Sequence, residues 1–488
     1  MPRDSVDKPA HIEDKLFING EFVPSISGKK FEILDPTTDE VAASVYEAGV
    51  EDVDRAVEAA ENAFPAWSEL PASERAAYML KLADALEDVV PEIGYMDAVT
   101  MGKPYVGSPV THHSIQNLRY LAGQARDVFG ETSLSTPGKL ALSLRQPFGV
   151  CAAIIPWNGP LMMLINKVGA ALVAGNTLVL KSSEKAPFTA LIVARLCKQI
   201  GLPPGVLNIL SGYGTSCGEA LAKHMRVRRI SFTGSVATGK LIQKASAESN
   251  LKKVALELGG KNPMLVFDDA DVTLAARGAT MATLINTGQG CILTTRIYVH
   301  SKIVDGFVEE LKKGVAAAGE PGDPLVPGTR RGPQADQTQL RRVVGLIEDG
   351  RRNNYDIALG GKGRIGDKGC YVEPTIFVNV PEDAKVMREE VFGPVVCVTT
   401  FTDEADVIRR ANDTEFGLYA SVFTKDLSRA VRVAKAFEAG LVGVNCTSPA
   451  GLSEDLAFGG WKQSGSGREN GRRAVEAWTE EKSIMISL

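Results

Sequence analysis

Cys291 and Glu257 are the two residues of this sequence whose types and settings best fit covalent catalysis. Cys291 lies within Thr287-Gly-Gln-Gly-Cys-Ile-Leu-Thr-Thr-Arg296, downstream of the apolar run 280–285, where small and hydroxylated residues leave a thiol accessible on a tight turn. Glu257 begins Glu257-Leu-Gly-Gly-Lys261 at the end of an apolar stretch, so burial can raise its pKa enough for it to act as a base. A thiol with a tunable carboxylate predicts a covalent intermediate that is then hydrolysed.

Polar side chains also follow two short apolar runs that are predicted to be strands. Asn158 comes after the run 150–155, and Lys181 and Glu184 follow the run 177–180. Ligands of open α/β folds bind at the carboxyl ends of the strands, so we expect these side chains to face a ligand there. The Asn158 amide suits an oxyanion, whereas Lys181 and Glu184 offer a cation and a carboxylate to ribose hydroxyl groups.

A glycine-bearing loop follows the predicted strand 229–232. Gly234 and Ser235 stand where backbone amides approach an anion at a helix N-terminus, which fits a pyrophosphate. The loop is not GxGxxG, and a turn followed by an N-cap serine is the commoner explanation of such a segment. A second glycine cluster, 212–218, is interpreted as turn chemistry without a ligand.

Short apolar runs alternate with helical patterns from residue 150 onward. Such alternation predicts βαβ units and a parallel sheet buried on both faces, which is the Rossmann-type architecture of dinucleotide-binding domains. The same alternation after Glu257 predicts a second α/β domain. Predicted strands lie at 150–155, 177–180, 206–210, 229–232, 264–267, 296–300 and 439–445, and predicted helices at 161–174, 187–200, 271–286 and 304–318.

The remaining elements frame these two domains. Amphipathic helices are predicted at 50–63, 73–90 and 113–128. Alternating strands are predicted at 140–149 and at the C-terminal end, 484–488, where they can pair with each other or with another subunit. The segment 321–333, rich in Pro, Gly and charge, is predicted to be a surface loop.

Composition excludes several classes of protein. With 488 residues, of which 44% are hydrophobic and 23% charged, the chain is predicted to be a globular α/β enzyme of at least two domains. The net charge of −5 and the dispersed basic residues argue against nucleic-acid binding. No run approaches the roughly 20 apolar residues of a membrane helix and residues 1–14 are polar, so we expect a cytoplasmic protein without membrane attachment. Seven cysteines without CxxC or histidine spacing predict neither a disulfide framework nor a metal site.

Six ordered segments resemble the aldehyde dehydrogenase superfamily, and the resemblance runs from about residue 17 to the C-terminus. They are Pro156-Trp-Asn158, Phe232-Thr-Gly-Ser235, Glu257-Leu-Gly-Gly-Lys261, Gly288-Gln-Gly-Cys291, Glu390-Val-Phe-Gly-Pro394 and Phe458-Gly-Gly460. The resemblance implies an NAD-binding domain of residues 1–128 and 150–257 and a catalytic domain of residues 258–470. It also implies a small β oligomerisation element, 129–149 with 471–488, and hence a homodimer or homotetramer.

The resemblance also implies a role for each matching residue. Cys291 attacks the aldehyde, the Asn158 side chain and the Cys291 amide hold the oxyanion, and Glu257 activates either the thiol or the water that hydrolyses the thioester. The residues implied to contact the cofactor are Trp157, Lys181, Glu184, Gly234, Ser235, Glu390 and Phe392. The residues implied to line the substrate pocket are His113, Gly159, Met162, Asn166, Ile292 and Phe458.

Two features refine the expected activity. A carboxylate at Glu184 accepts hydrogen bonds from a ribose 2′-hydroxyl but repels a 2′-phosphate, so NAD is expected over NADP, with Lys181 softening the preference. Gly159-Pro160 and Asn166-Lys167 stand where the family usually has aromatic residues. Two missing aromatic walls predict a wider tunnel for bulky, branched or aromatic aldehydes. His113 is predicted either to line the tunnel or to face the surface. The segment 447–455 is predicted to shape the pocket, but its residues do not indicate what it binds.

Three alternatives stay open at this point. Family members that pass the acyl group to coenzyme A typically lack the carboxylate at Glu257, so a CoA-acylating semialdehyde dehydrogenase is the nearest rival. A nitrilase-like or amidase-like hydrolase would use the same thiol and carboxylate without nicotinamide, leaving the predicted dinucleotide-binding residues unexplained. An inactive scaffold protein would not need Cys291, Glu257 and Asn158 together.

Overall fold

The computed structural model describes residues 6–105, 109–448 and 453–488. Its strands are β1 (Leu16–Ile18), β2 (Glu21–Val23), β3 (Lys30–Leu34), β4 (Val41–Tyr46), β5 (Thr132–Ser133), β6 (Lys139–Pro147), β7 (Val150–Ile154), β8 (Thr177–Lys181), β9 (Leu207–Leu210), β10 (Arg229–Thr233), β11 (Lys253–Glu257), β12 (Asn262–Val266), β13 (Thr294–His300), β14 (Asp356–Leu359), β15 (Thr375–Val378), β16 (Val395–Phe401), β17 (Phe416–Gly417), β18 (Tyr419–Phe423), β19 (Leu441–Val444), β20 (Trp461–Lys462), β21 (Gly465–Ser466) and β22 (Thr479–Ser487). Its helices are α1 (Val50–Glu69), α2 (Ala72–Glu87), α3 (Val90–Met101), α4 (Pro109–Gly123), α5 (Pro160–Val173), α6 (Phe188–Gln199), α7 (Glu219–Lys223), α8 (Val236–Glu248), α9 (Val272–Leu284), α10 (Val304–Ala317), α11 (Gln337–Arg352), α12 (Lys385–Arg388), α13 (Glu404–Asn412) and α14 (Leu427–Ala436).

The first sheet has the strand order β2-β1-β9-β8-β7-β10-β11-β21. Strands β9, β8, β7, β10 and β11 are parallel, and β7 is flanked by β8 on one side and β10 on the other. The chain therefore reverses its direction of sheet growth between β7 and β10. In Rossmann-type sheets this switch point opens the crevice that holds the ligand.

Both faces of this sheet are buried, as the apolar runs predict. Along β7, Cys151 and Ala153 enter the core cluster on one face, whereas Ala152 and Ile154 enter the cluster on the other face. Helix α5 covers one face and is buried along nearly its whole length, which explains why its sequence is apolar apart from Asn166 and Lys167.

The second sheet, β14-β15-β16-β13-β12-β18-β19, is parallel except for the antiparallel edge strand β14. It takes its strands from residues 262–444, after Glu257. The mixed α/β fold with two parallel-sheet domains is confirmed. Strand β21, within the range predicted for the second domain, instead pairs antiparallel with β11 of the first sheet.

A separate three-stranded sheet, β22-β6-β5, contains the two alternating strands that the sequence singled out. Strands β22 and β6 pair antiparallel over nine residues, from Thr479↔Pro147 to Ser487↔Lys139. Along β22, Met485 and Ile486 are exposed. This element corresponds in position to the predicted oligomerisation element.

Several observed elements differ from the predicted ones. The helix predicted at 113–128 begins at Pro109 and ends at Gly123, followed by a 3₁₀ turn over Gln124–Arg126. Helices α3, α11, α13 and α14 were not predicted, although Asp336, Asp403 and Asp426 cap the last three through their side chains. Among the described residues, no helix combines the length and apolarity needed to span a membrane.

Candidate active site

The nucleophile turn, residues Asn286–Cys291, joins the end of α9 to β13. Asn286, Thr287 and Gly288 all have left-handed backbones, with φ of 46°, 54° and 75°. A Cβ added to Gly288 would lie 2.1 Å from the carbonyl carbon of Gly393, so only glycine fits this close approach. The predicted tight turn is thus a rigid segment held against neighbouring backbone.

The Cys291 thiol is half-buried, and it faces a cavity of about 640 Å³ that Glu257, Asn158 and Glu390 also line. Burial, together with the negative charges of Glu390 and Glu257, raises the pKa of Cys291 to about 12. The thiol is therefore protonated at neutral pH and needs a base before it can act as a nucleophile.

Asn262, which the sequence analysis did not single out, holds the nucleophile turn in place. Its Nδ2 donates to the carbonyl oxygens of Cys291 (2.8 Å) and Leu293 (2.9 Å), while its Oδ1 accepts from the Tyr419 backbone N–H (3.0 Å). Asn262 is buried, so loss of these bonds would leave polar groups unsatisfied. The available signal was a polar residue at the start of an otherwise apolar strand.

Asn158 follows β7 and reaches the same turn. Its Nδ2 donates to the Gln289 carbonyl at 3.1 Å, and Asn286 Nδ2 donates to the carbonyls of Asn158 and Gln289, both at 3.2 Å. The Asn158 amide is thereby oriented beside the thiol. An amide carries two N–H groups, so the second is available to an oxyanion in the cavity.

Glu257 ends β11 and is 4% exposed, and Gly459 packs against it so closely that an added Cβ would lie 2.9 Å from Glu257 Oε1. Among the described residues, Glu257 Oε2 has no hydrogen-bond partner. Burial, with a smaller contribution from the negative charge of Glu469, raises the pKa of Glu257 well above its ordinary value. The positive charges of Lys167 and Arg468 oppose this rise.

Lys167 and Glu469 form a buried ion pair beside Glu257 that the sequence analysis missed. Lys167 Nζ also donates to Thr233 Oγ1 at 2.9 Å, and Ser231 Oγ donates to Glu469 Oε1 at 3.3 Å. The two residues lie 302 positions apart, so nothing in the local sequence reveals the pair. A lysine in the middle of the apolar helix α5 was the signal that a buried partner exists.

A second cavity, of about 750 Å³, extends the first along the carboxyl edge of the sheet. The two cavities share the wall formed by Pro156, Trp157, Thr233, Gly234 and Ser235, so they form one continuous cleft at the switch point between β7 and β10. Glu184 and Lys181 lie in the far part of the cleft, the Gly234–Ser235 loop in the middle, and Glu390 and Cys291 in the near part.

The far part of the cleft contains Lys181, Glu184 and the glycine cluster 212–218. Lys181 Nζ donates to the Ser182 carbonyl and lies 3.8 Å from Glu184 Oε2. Tyr213, Gly214 and Thr215, which the sequence analysis interpreted as turn chemistry without a ligand, line the same cavity. The cluster forms a wall of the cleft because β9 ends next to β8.

In the middle of the cleft, Ser235 is the N-cap of α8, and its side chain accepts from the Thr238 backbone N–H at 3.2 Å. The N-cap explanation for this serine therefore holds. It does not exclude the anion explanation, because the first N–H groups of α8 also lack partners within the helix and the loop lines both cavities.

Glu390 and Phe392 line the near part of the cleft. Glu390 is half-buried, and its Oε1 accepts from the Gly260 backbone N–H at 2.9 Å. Burial raises the pKa of Glu390 to about 7, although the Gly260 N–H and the charges of Arg342 and Lys261 oppose this. Phe392 packs edge-on against Trp157, with ring centroids 5.4 Å apart.

A third cavity, of about 270 Å³, contains four of the residues predicted for the substrate pocket: His113, Met162, Asn166 and Phe458. Ile292 lies beside it in a core cluster with Phe458, and Cys291 packs against that cluster. Gly159 is the N-cap of α5, and the Met162 methyl group lies 3.6 Å from the position of an added Cβ.

Asn166 lines this cavity, where its Oδ1 accepts from Asn117 Nδ2 at 2.8 Å and its Nδ2 donates to Glu469 Oε2 at 3.4 Å. One prediction about this region changes. The segment 447–455 does carry readable chemistry, because Glu454 pairs with His113; residues 449–452 lie outside the described residues. His113 thus lines the cavity and is not a purely surface-facing residue.

The fold and the site together define a cleft of the dinucleotide-binding type. It ends at the half-buried thiol of Cys291 and the buried carboxyl group of Glu257. Across the residues that the structure describes, no group of three His, Cys, Asp or Glu side chains is arranged to hold a metal ion. The model of the aldehyde dehydrogenase family matches residues 22–484, and the chain belongs to that family.

Known relatives are similar over nearly the whole chain. Cytosolic aldehyde dehydrogenase 1 of Rattus norvegicus is 43% identical over 483 residues, which cover 97% of this chain and 95% of the relative. The NAD⁺ complex of an aldehyde dehydrogenase from Bacillus cereus is 40% identical with a TM-score of 0.94, covering 98% and 97% of the two chains. An indole-3-acetaldehyde dehydrogenase from P. syringae is 39% identical with a TM-score of 0.95, covering 98% of each chain.

Proposed function

We propose that this protein oxidises an aldehyde to the free carboxylic acid with NAD. The order of groups along one continuous cleft carries the proposal: a carboxylate at Glu184, a helix N-terminus behind Ser235, a second carboxylate at Glu390 and then the Cys291 thiol. A dinucleotide has a ribose on each side of its pyrophosphate. It therefore requires hydrogen-bond acceptors for the ribose hydroxyl groups at both ends and N–H donors for the pyrophosphate between them, in the same order. The NAD⁺ complex of the Bacillus cereus relative supports the same cofactor.

The chain's own residues account for the first chemical step. Glu257 is the base proposed to remove the Cys291 proton, after which the sulfur attacks the aldehyde carbon and the carbonyl electron pair moves to oxygen. The Asn158 side chain and the Cys291 backbone N–H then hold the oxyanion. Loss of hydride from that carbon leaves a thioester on Cys291, and NAD, when bound, supplies the hydride acceptor.

Hydrolysis of the thioester completes the cycle. Glu257 first releases to solvent the proton that it took from Cys291. It then takes a proton from water, the resulting hydroxide attacks the thioester carbon, and the Cys291 sulfur leaves as a thiolate. Aldehyde, NAD⁺ and water are thereby converted to carboxylate, NADH and two protons. The raised pKa of Glu257 suits this role, since a base works best when its pKa lies near the working pH.

We also propose that the cofactor preference favours NAD over NADP. Glu184 lines the far part of the cleft, where a ribose 2′-phosphate would meet its negative charge. Lys181 Nζ, 3.8 Å from Glu184 and bonded to the Ser182 carbonyl, offers only partial compensation. Comparison of kcat/KM for the two cofactors tests this preference directly.

Glu390 makes the affinity for NAD depend on pH. Its pKa is raised to about 7 by burial, so the carboxylate that would accept ribose hydrogen bonds is lost as pH falls through neutrality. We expect the Kd for NAD, measured by calorimetry without aldehyde, to rise roughly tenfold between pH 8 and pH 6, since a bond to a charged group contributes about 1.5–3 kcal/mol. Glu390→Gln should bind weakly with a nearly flat profile; equal slopes in both proteins would contradict this assignment.

The substrate is proposed to be bulky, branched or aromatic. Gly159 and Asn166 replace two aromatic residues of the family pattern, and the third cavity, which Asn166 lines, has a volume of about 270 Å³. Asn166 is held in the cavity wall by hydrogen bonds. The cavity is therefore wider chiefly because the asparagine side chain is smaller than an aromatic one. The P. syringae relative, an indole-3-acetaldehyde dehydrogenase, supports an aromatic substrate.

One assay tests the proposed function. Purified protein and NAD are mixed with aliphatic, branched and aromatic aldehydes while absorbance of reduced nicotinamide is recorded and the product is identified. We expect the highest kcat/KM with a bulky aldehyde and a free acid as product. Preference for acetaldehyde would overturn the substrate class, and an acyl thioester formed only with coenzyme A would favour the acylating alternative.

Assembly and location complete the proposal. We propose a homodimer or homotetramer built on the β22-β6-β5 sheet, supported by the exposed Met485 and Ile486 on β22. A cytoplasmic location is supported by the name of the rat relative. Sedimentation of the purified protein distinguishes the two assemblies, and fractionation of the source cells tests the location.

A further inference from the structure

The cavity that contains His113 shares lining residues with the surroundings of the nucleophile. Met163 lines both this cavity and the cavity around Cys291. Phe458 lines the cavity and belongs to the core cluster against which Cys291 packs. An aldehyde in this cavity would therefore present its carbonyl carbon to the sulfur while its far end lies among the outer lining residues.

The lining of this cavity is divided into an apolar and a polar part. Met162, Leu441, Leu456 and Phe458 contribute apolar surface, whereas His113, Asn166, Ser453 and Asn470 contribute polar groups. Asn117 fixes two of the polar groups by donating to Asn166 Oδ1 (2.8 Å) and Asn470 Oδ1 (3.0 Å). Among the described lining residues there is no lysine or arginine, so a negatively charged substrate end has no counterion.

His113 is oriented by a carboxylate. Its Nδ1 lies 2.9 Å from Glu454 Oε1, and both side chains are about one-quarter to one-third exposed (26% and 33%). When Nδ1 carries the proton donated to Glu454, the neutral imidazole has an acceptor lone pair on Nε2. The imidazole thus offers a hydrogen-bond acceptor whose orientation is set before a substrate arrives.

We propose that the His113–Glu454 pair selects aldehydes that carry a neutral hydrogen-bond donor, a hydroxyl or N–H group, at the end remote from the carbonyl. The inference rests on the proposed aldehyde oxidation and deepens it. A remote carboxylate is disfavoured, because it would meet Glu454 without a cation to balance it. An apolar remote end is accepted but leaves the imidazole acceptor without a partner, which costs binding free energy.

The test compares two aldehydes that differ by one hydroxyl group, 3-(4-hydroxyphenyl)propanal and 3-phenylpropanal, with 3-(4-methoxyphenyl)propanal as the variant without a donor. We expect the wild-type protein to favour the hydroxylated aldehyde by about tenfold in kcat/KM over both others, the effect of one well-formed hydrogen bond. His113→Phe should lower this ratio to about one.

Two further variants make the test specific. Glu454→Gln should reduce the ratio without removing the imidazole, because the tautomer is no longer fixed. His112→Phe is the matched control: His112 is the neighbouring histidine, is 60% exposed, lies 3.7 Å from Glu87 and does not line the cavity. This control should keep the wild-type ratio.

The outcomes separate this inference from the proposed function. If 3-phenylpropanal and its hydroxylated partner are both oxidised with a ratio that His113→Phe and Glu454→Gln leave unchanged, the inference is overturned and the proposed function stands. If a cationic aminoaldehyde of equal length is preferred over the phenol, Glu454 acts as a counterion and the inference is also overturned. Oxidation of no aldehyde overturns both.

Discussion

Cys291→Ala is expected to lower kcat for aldehyde oxidation by more than about 10⁴-fold, because no other group can form the thioester and residual catalysis would come from binding and the oxyanion donors alone. The affinity for NAD, measured by calorimetry, should stay within about twofold of wild type, since the substitution removes only a sulfur. The turn that carries residue 291 is held through backbone atoms by Asn262 and Gly288, so the variant should fold normally.

Cys446→Ala is the matched control for this variant. Five of the seven cysteines are buried, and Cys446 is the second one that is partly accessible. Its removal should leave kcat unchanged, and iodoacetamide inactivation should follow labelling of Cys291 in peptide maps. Full activity of Cys291→Ala, or inactivation that follows Cys446 instead, would remove the thiol from the mechanism.

Glu257→Gln is expected to have the second largest effect, a decrease of about 10²–10⁴-fold in steady-state turnover, the usual contribution of a general base. If Glu257 acts mainly on water, a stoichiometric burst of NADH should persist in the variant, followed by slow release of acid. If Glu257 also activates the thiol, the burst itself should slow. A variant with wild-type turnover at every pH would exclude Glu257 as the base.

The pH dependence of this variant follows from the raised pKa of Glu257. The wild-type rate should rise with pH as the carboxyl loses its proton, and this limb should be absent from Glu257→Gln. Between the ordinary carboxyl pKa and the raised pKa, the folded protein binds more protons than the unfolded chain, so stability falls as pH rises. Gln carries no such cost, and the Tm of the variant should exceed that of wild type by an amount that grows towards pH 8.

The pair formed by Lys167 and Glu469 adds to this expectation. It is buried beside Glu257, where Lys167 opposes and Glu469 reinforces the rise in the pKa of Glu257. Arg468 opposes the rise together with Lys167. The pKa of Glu257 is high chiefly because the carboxylate has lost water, and this effect depends on the closeness of Gly459 and of strand β21.

The sequence by itself determined the elements whose patterns are local. The apolar run of β7, the largely apolar α5 and the alternating residues of β6 and β22 each have a pattern that specifies one type of element and the faces that it buries. It also determined which residues belong to the family's chemistry, since Cys291, Glu257 and Asn158 lie in short contiguous segments that can be recognised without a structure.

Only the tertiary structure decided how these segments meet. The strand order around β7, the Asn262 bonds that fix the nucleophile turn, the Lys167–Glu469 pair and the Glu454 contact to His113 join residues from 29 to more than 300 positions apart. Such contacts depend on packing, because a buried polar group finds its partner only when distant elements come together. A single sequence can indicate that a buried polar residue needs a partner, whereas only the fold shows which residue that partner is.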